Sequence, residues 1–132
     1  MNLNELATRE IVRFHEQIGK WFRGEMSPNE KEEMMALTAF HTAFQMISPS
    51  GACINRSDLE SWLPSVYAGK PGILVEVAKI KVRFEQAGAI LMEYEEYQSG
   101  GGTENKRIST VLFIQTEEGG LQWYQLHETF LP

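Results

Sequence analysis

The sequence predicts an α+β domain in which about three helices pack on the concave face of a curved antiparallel sheet of four long strands plus a short hairpin. Three observations predict it. Segments before about residue 67 repeat their apolar residues at three- and four-residue steps. After Gly72 the apolar, β-branched and aromatic residues alternate instead. The segments of that second part are joined by short, glycine-containing connections, so they are antiparallel neighbours.

The first helix runs from about Leu3 to Arg23. Leu3, Leu6, Ala7, Ile11, Phe14, Ile18, Trp21 and Phe22 form its apolar stripe, Asn2 with Glu5 caps it, and Gly24 stops it. A second helix starts at Ser27, with Pro28 in its first turn, a capping box to Glu30, and Met34, Met35 and Leu37 facing the core. Phe44 to Ile47 and Ala52 to Ile54 read as two short strands around the turn Ser48-Pro49-Ser50-Gly51. Ser57, boxed with Glu60, opens a third helix with Leu59, Trp62, Leu63, Val66 and Tyr67 inward. Gly69 ends it, and Pro64 predicts a kink or break. Strands follow at about 73–85, 89–98, 106–116 and 121–131.

Composition narrows the function classes. A chain of 132 residues suits one domain spanning 1–132, large enough to bury roughly two-thirds of its unfolded surface. The net charge of −6, from 18 acidic and 12 basic residues, opposes a nucleic-acid partner, and the basic residues gather on no helix. No stretch approaches the ~20 apolar residues of a membrane span, and the first residues lack a signal-peptide pattern. Cys53 is the only cysteine, which excludes an internal disulfide. A cytoplasmic protein without cofactor is expected.

Alternation assigns the faces of the sheet. In the first long strand the even positions Leu74, Ala78, Ile80, Val82 and Phe84 are expected inward, with Glu76 as the exception. A tight turn at Gln86 to Gly88 sets Lys81 opposite Glu93 and Lys79 opposite Glu95, an outer face of ion pairs. The same alternation turns Tyr94 and Glu96 inward, where a carboxylate must be paired, hydrogen-bonded or wet. The last two strands are apolar on both sides, Trp123 sharing a side with His127, and Leu126 with Glu128. Strands of that kind are covered on both faces, which predicts a homodimer through the sheet.

The ending Trp123-Tyr124-Gln125-Leu126-His127-Glu128-Thr129-Phe130-Leu131 carries a resemblance, together with Tyr94-Glu95-Glu96, Arg107-Ile108-Ser109-Thr110, and Ser48-Pro49-Ser50-Gly51 leading to Arg56-Ser57-Asp58-Leu59. In these motifs and in the order of its elements the chain resembles an uncharacterised group of the nuclear transport factor 2-like superfamily. The resemblance implies a cystatin-like cone with a pocket between helices and sheet, and often a dimer. The superfamily includes ketosteroid isomerases, polyketide cyclases, dehydratases, epoxide hydrolases, transport factors and kinase association domains, so fold does not settle function. Asp58 is the only aspartate, so the tyrosine–aspartate and Asp-Arg-Asp sets of the isomerase and epoxide-hydrolase members cannot be built here.

Glu96, His127 and Glu128 come from the same end of the sheet and are the candidate catalytic residues, a desolvated carboxylate with a histidine partner. His127 and Glu128 cannot both point inward from a regular strand, and the alternative for the group is a structural polar network including Arg107. Phe14, Trp62, Tyr94 and Thr110 are candidate ligand contacts, or core residues in the plainer reading. The three histidines share no metal-ligand spacing, and His127-Glu128 lacks the second histidine of a zinc motif. The expected function is a pocket for a small, mainly apolar molecule, with isomerase-, cyclase- or dehydratase-like acid–base chemistry. The alternative is a non-enzymatic dimeric accessory module.

Overall fold

The computed structural model describes all 132 residues. Helix α1 spans Leu3–Arg23. Asn2 accepts the Glu5 N–H at 2.8 Å, and Gly24 closes the helix at φ 74°. A Cβ on Gly24 would lie 2.6 Å from Ala68 Cβ, so both the left-handed turn and the close approach demand glycine. Helix α2, Pro28–Ala36, has the expected Ser27–Glu30 capping box, and Lys20 of α1 pairs with Glu30. It buries none of its residues: Met34 and Met35 are half-covered, and Leu37, just beyond the helix, is the residue that enters the core.

Helix α3 spans Arg56–Val66, and its cap lies earlier than expected. Asn55 and Asp58 form the capping box, not Ser57 and Glu60. That frees Arg56 to donate to the Ala36 and Leu37 carbonyls at the end of α2 and to the Phe40 carbonyl. Pro64 does not break the helix. It falls in the last turn, and the helix ends at Val66.

The strands are β1 (Phe40–Ile47), β2 (Cys53–Asn55), β3 (Leu74–Gln86), β4 (Ala89–Ser99), β5 (Asn105–Gln115) and β6 (Leu121–Phe130). They form one curved, open sheet in the order β2-β1-β6-β5-β4-β3. The chain is α+β, as expected, with one difference in direction: β1 lies parallel to β6, while the other neighbours are antiparallel. Helix α1 lies across β3, β4 and β6, and α3 covers β1 and β2. No helix is long and apolar enough to cross a membrane.

Bulges overturn part of the face assignment. Between the pairs Ala78–Glu95 and Lys81–Glu93, β3 carries one residue more than β4, with Lys79 at φ 55°. An extra residue exchanges the faces. Val75 and Val77 therefore pack on the core, Leu74 is 50% exposed, and Glu76 is no exception. Arg83 is a second extra residue between Val82–Met92 and Phe84–Leu91, so Phe84 also turns outward, 59% exposed. The ion pairs survive the bulge, Lys79–Glu95 at 3.4 Å and Lys81–Glu93 at 3.1 Å. In β6 Tyr124 is extra, which moves Trp123 onto the side of Leu126 and Glu128 and away from that of His127.

Candidate functional site

Helix α1 buries Ala7, Ile11, His15, Ile18 and Phe22, steps of four and three residues, so His15 stands within the core-facing stripe. At 4% exposure its ring nitrogens need partners inside the protein. Nδ1 lies 2.7 Å from the Ile11 carbonyl. A carbonyl only accepts, so Nδ1 carries a proton. Nε2 lies 3.1 Å from Glu96 Oε1, and one further proton is shared there. Burial alone drives His15 down and Glu96 up. The mutual hydrogen bond and charge outweigh it, with help from the Ile11 carbonyl for His15 and from Arg107 and Gln98 for Glu96. His15 ends above its ordinary value and Glu96 below its own, both in the direction that favours the imidazolium–carboxylate form of the pair. Gln98 donates to the other Glu96 oxygen at 2.6 Å.

Sheet register sets a second carboxylate close by. Tyr94, Ser109 and Glu128 are cross-strand partners, as are Glu96, Arg107 and Phe130. Arg107 Nη1 donates to Glu128 Oε1 at 3.1 Å and Ser109 Oγ donates to Oε2 at 3.3 Å. Asn105 and the Phe130 ring hold the guanidinium in place. Burial, then the Glu96 charge, raise Glu128 above the usual carboxylate range despite Arg107. Tyr94, 1% exposed, makes no hydrogen bond of good geometry through its hydroxyl, and the cross-strand Ser109 hydroxyl is only a weak partner. Burial, then Glu96 and Glu128, push the phenol well above its ordinary value, against weaker help from Ser109 and Arg107, so it is an O–H donor.

These groups border a cavity of about 190 Å³ between α1, α3 and the sheet. Its apolar wall includes Phe14, Ile18, Phe44, Met46 and Leu126; its polar wall is His15, Tyr94, Glu96, Gln98, Arg107 and Glu128, and Lys70 and Trp62 complete the lining. A wider groove of about 690 Å³ separates α1 from α2. Its polar side chains include the exposed Arg13, paired with the half-buried Glu10 at 2.7 Å, and it holds no unpaired buried group.

A protein of unknown function from Pseudomonas aeruginosa, described as nuclear transport factor 2-like, superposes on this chain with a TM-score of 0.89 at 28% identity, covering 96% of this chain and 99% of its own. The chain has the nuclear transport factor 2-like fold. A nuclear transport factor 2-like protein from Cytophaga hutchinsonii agrees with a TM-score of 0.68 at 14% identity over 99% of this chain and 100% of its own. The CamKII hub homology domain of Chlamydomonas reinhardtii shares the fold, with a TM-score of 0.64 at 18% identity over 96% and 98% of the two chains. No protein-family profile matches the chain, and no curated protein matches it in sequence.

Within this nuclear transport factor 2-like cone, Phe14, Trp62, Tyr94, Glu96 and Glu128 line the cavity, Trp62 at 42% exposure forming its rim. Two candidates do not. Thr110 pairs with Glu93 and His127 across the face turned away from the helices, and His127 is exposed there. With Glu128 inward, a regular strand end must send His127 outward. The histidine of the site is His15. Its signal was legible, since it stands four residues after Ile11 and three before Ile18. Gln98 was legible too, two residues beyond Glu96 on the same face. Nothing in the local pattern of Lys70 marks it.

Proposed function

We propose that the chain is a dimeric pocket protein that takes a small, mainly apolar molecule between helices and sheet and moves a proton on it. The chemistry is of the isomerase, cyclase or dehydratase kind. Tyr94 carries this reading. A buried hydroxyl without a partner costs about 1–3 kcal/mol, and a ligand oxygen placed in the cavity would recover that energy. Glu128 is the proton-handling group: its raised pKa brings it toward the operating pH, the condition for a general acid or base. His15 and Glu96 are positioning residues, because they pair with each other and are shifted toward their charged forms. Glu128, although it too accepts on both oxygens, is shifted toward its protonated form.

The dimer reading rests on the other face of the sheet. Leu91 opposes Leu112 there, Ile108 and Ile114 flank them, and no helix covers these side chains. The exposed Cys53 fits a reducing compartment such as the cytoplasm. A non-enzymatic assembly module is the second reading. It is favoured by the likeness to the CamKII hub homology domain and by the internal pairing of each buried carboxylate. A thermal-shift screen of small carbonyl compounds against the protein and its Tyr94→Phe and Glu128→Gln variants separates the two. The pocket reading expects ligands whose stabilisation is lost in Tyr94→Phe, and turnover lost in Glu128→Gln. A screen without ligands favours the assembly module.

A further inference from the structure

The charges bordering the cavity do not balance. His15 stands against Glu96 and Arg107 against Glu128, each at 3.1 Å. Lys70 is the remaining charged residue of the lining, and it takes part in no ion pair and no side-chain hydrogen bond. Its placement is nonetheless defined. The Lys70 N–H donates to the Phe22 carbonyl at 2.9 Å, and the ammonium stands 5.2 Å from the centre of the Phe22 ring. Lys70 is half-buried and lines the cavity, as does the partly exposed Trp62.

What the lining leaves without an ion pair or a well-formed hydrogen bond is therefore one cation, Lys70, and one O–H donor, the Tyr94 hydroxyl, among mainly apolar side chains. A cationic ligand would find no free carboxylate. A dicarboxylate would force its second charge beside Glu96 and Glu128. We propose that the ligand is a small organic monocarboxylate, its carboxylate on Lys70 and an oxygen acceptor at the other end of an apolar body on Tyr94. The volume of about 190 Å³, below the ~300–1,000 Å³ of drug-sized sites, sets the size class. This rests on the pocket reading above and adds to it the charge and class of the ligand.

The test compares 4-oxopentanoate and benzoate, each with its own primary amide, by ligand-observed NMR titration. The protein is used as wild type and as the Lys70→Met and Tyr94→Phe variants. Methionine keeps an unbranched stem over Phe22, and circular dichroism checks that the fold is retained. The acids are expected to bind at least tenfold tighter than the amides. Lys70→Met should abolish that gap, and Tyr94→Phe should weaken 4-oxopentanoate and its amide alike. Equal affinity of acid and amide in the wild type, or a gap that persists in Lys70→Met, overturns the proposal while leaving the pocket reading intact. If neither acids nor amides bind, both fail.

Discussion

Tyr94→Phe should make the unliganded protein more stable. The substitution keeps the ring, and so keeps its edge contact with His15 at 5.2 Å between centroids. It removes only a buried hydroxyl whose one partner, the Ser109 hydroxyl, is weak. Only the weak contact with Ser109 is lost, while the larger penalty for desolvating the group, about 1–3 kcal/mol, disappears. For a domain of this length each kcal/mol corresponds to roughly 3–6 °C in melting temperature. Urea unfolding followed by tryptophan fluorescence, with calorimetry alongside, measures both quantities. A rise in the midpoint with an unchanged denaturant slope is expected. An unchanged or lowered stability would show that the hydroxyl is satisfied in the native protein, and the case for a vacant ligand contact would collapse with it. The substitution also separates stability from function, because the gain should accompany a loss of ligand affinity.

Glu96→Gln keeps the side-chain shape but strips the buried His15 imidazolium of its counter-ion, a loss of up to about 3–5 kcal/mol. The raised His15 pKa contributes fully below the unfolded value of 6.5 and is lost as pH rises through the folded value. The lowered Glu96 pKa contributes above 4.5 and is lost as pH falls through its folded value. Denaturant titrations should therefore find the variant's deficit largest between about pH 4.5 and 6.5 and shrinking in alkali; a deficit independent of pH contradicts the ion pair. Exchanging Lys81 and Glu93 singly and together should reveal a coupling below about 1 kcal/mol, and a double-mutant cycle with none would mean that the 3.1 Å contact does not persist in solution. Lys79→Val, with a β-branched residue at φ 55°, should lower stability by about 1–2 kcal/mol while Lys79→Gly does not, as thermal melts will read. Sedimentation equilibrium should find twice the chain mass for the wild type and a monomer for Leu112→Lys; a wild-type monomer at micromolar concentration removes the dimer.

Local periodicity by itself determined the α+β class, the extent of α1, the four long strands and the inward direction of Tyr94 and Glu96. Each of these depends on neighbours within a few residues, where sterics and the helix or strand repeat dictate which face a side chain takes. Tertiary structure alone decided the rest. The extra residues at Lys79, Arg83 and Tyr124 carry no local signature, yet each exchanges the faces of its strand, which is why Leu74, Phe84 and Trp123 lie opposite to simple alternation. Glu128 and His127 differ by one position, and their choice of face came from pairing with Ser109 and Thr110. His15 meets Glu96 across 81 residues of sequence, and Lys70 reaches the cavity through a turn held by the end of α1. A partner that distant is chosen by how helix and sheet pack, and the spacing of residues along one element contains no record of it.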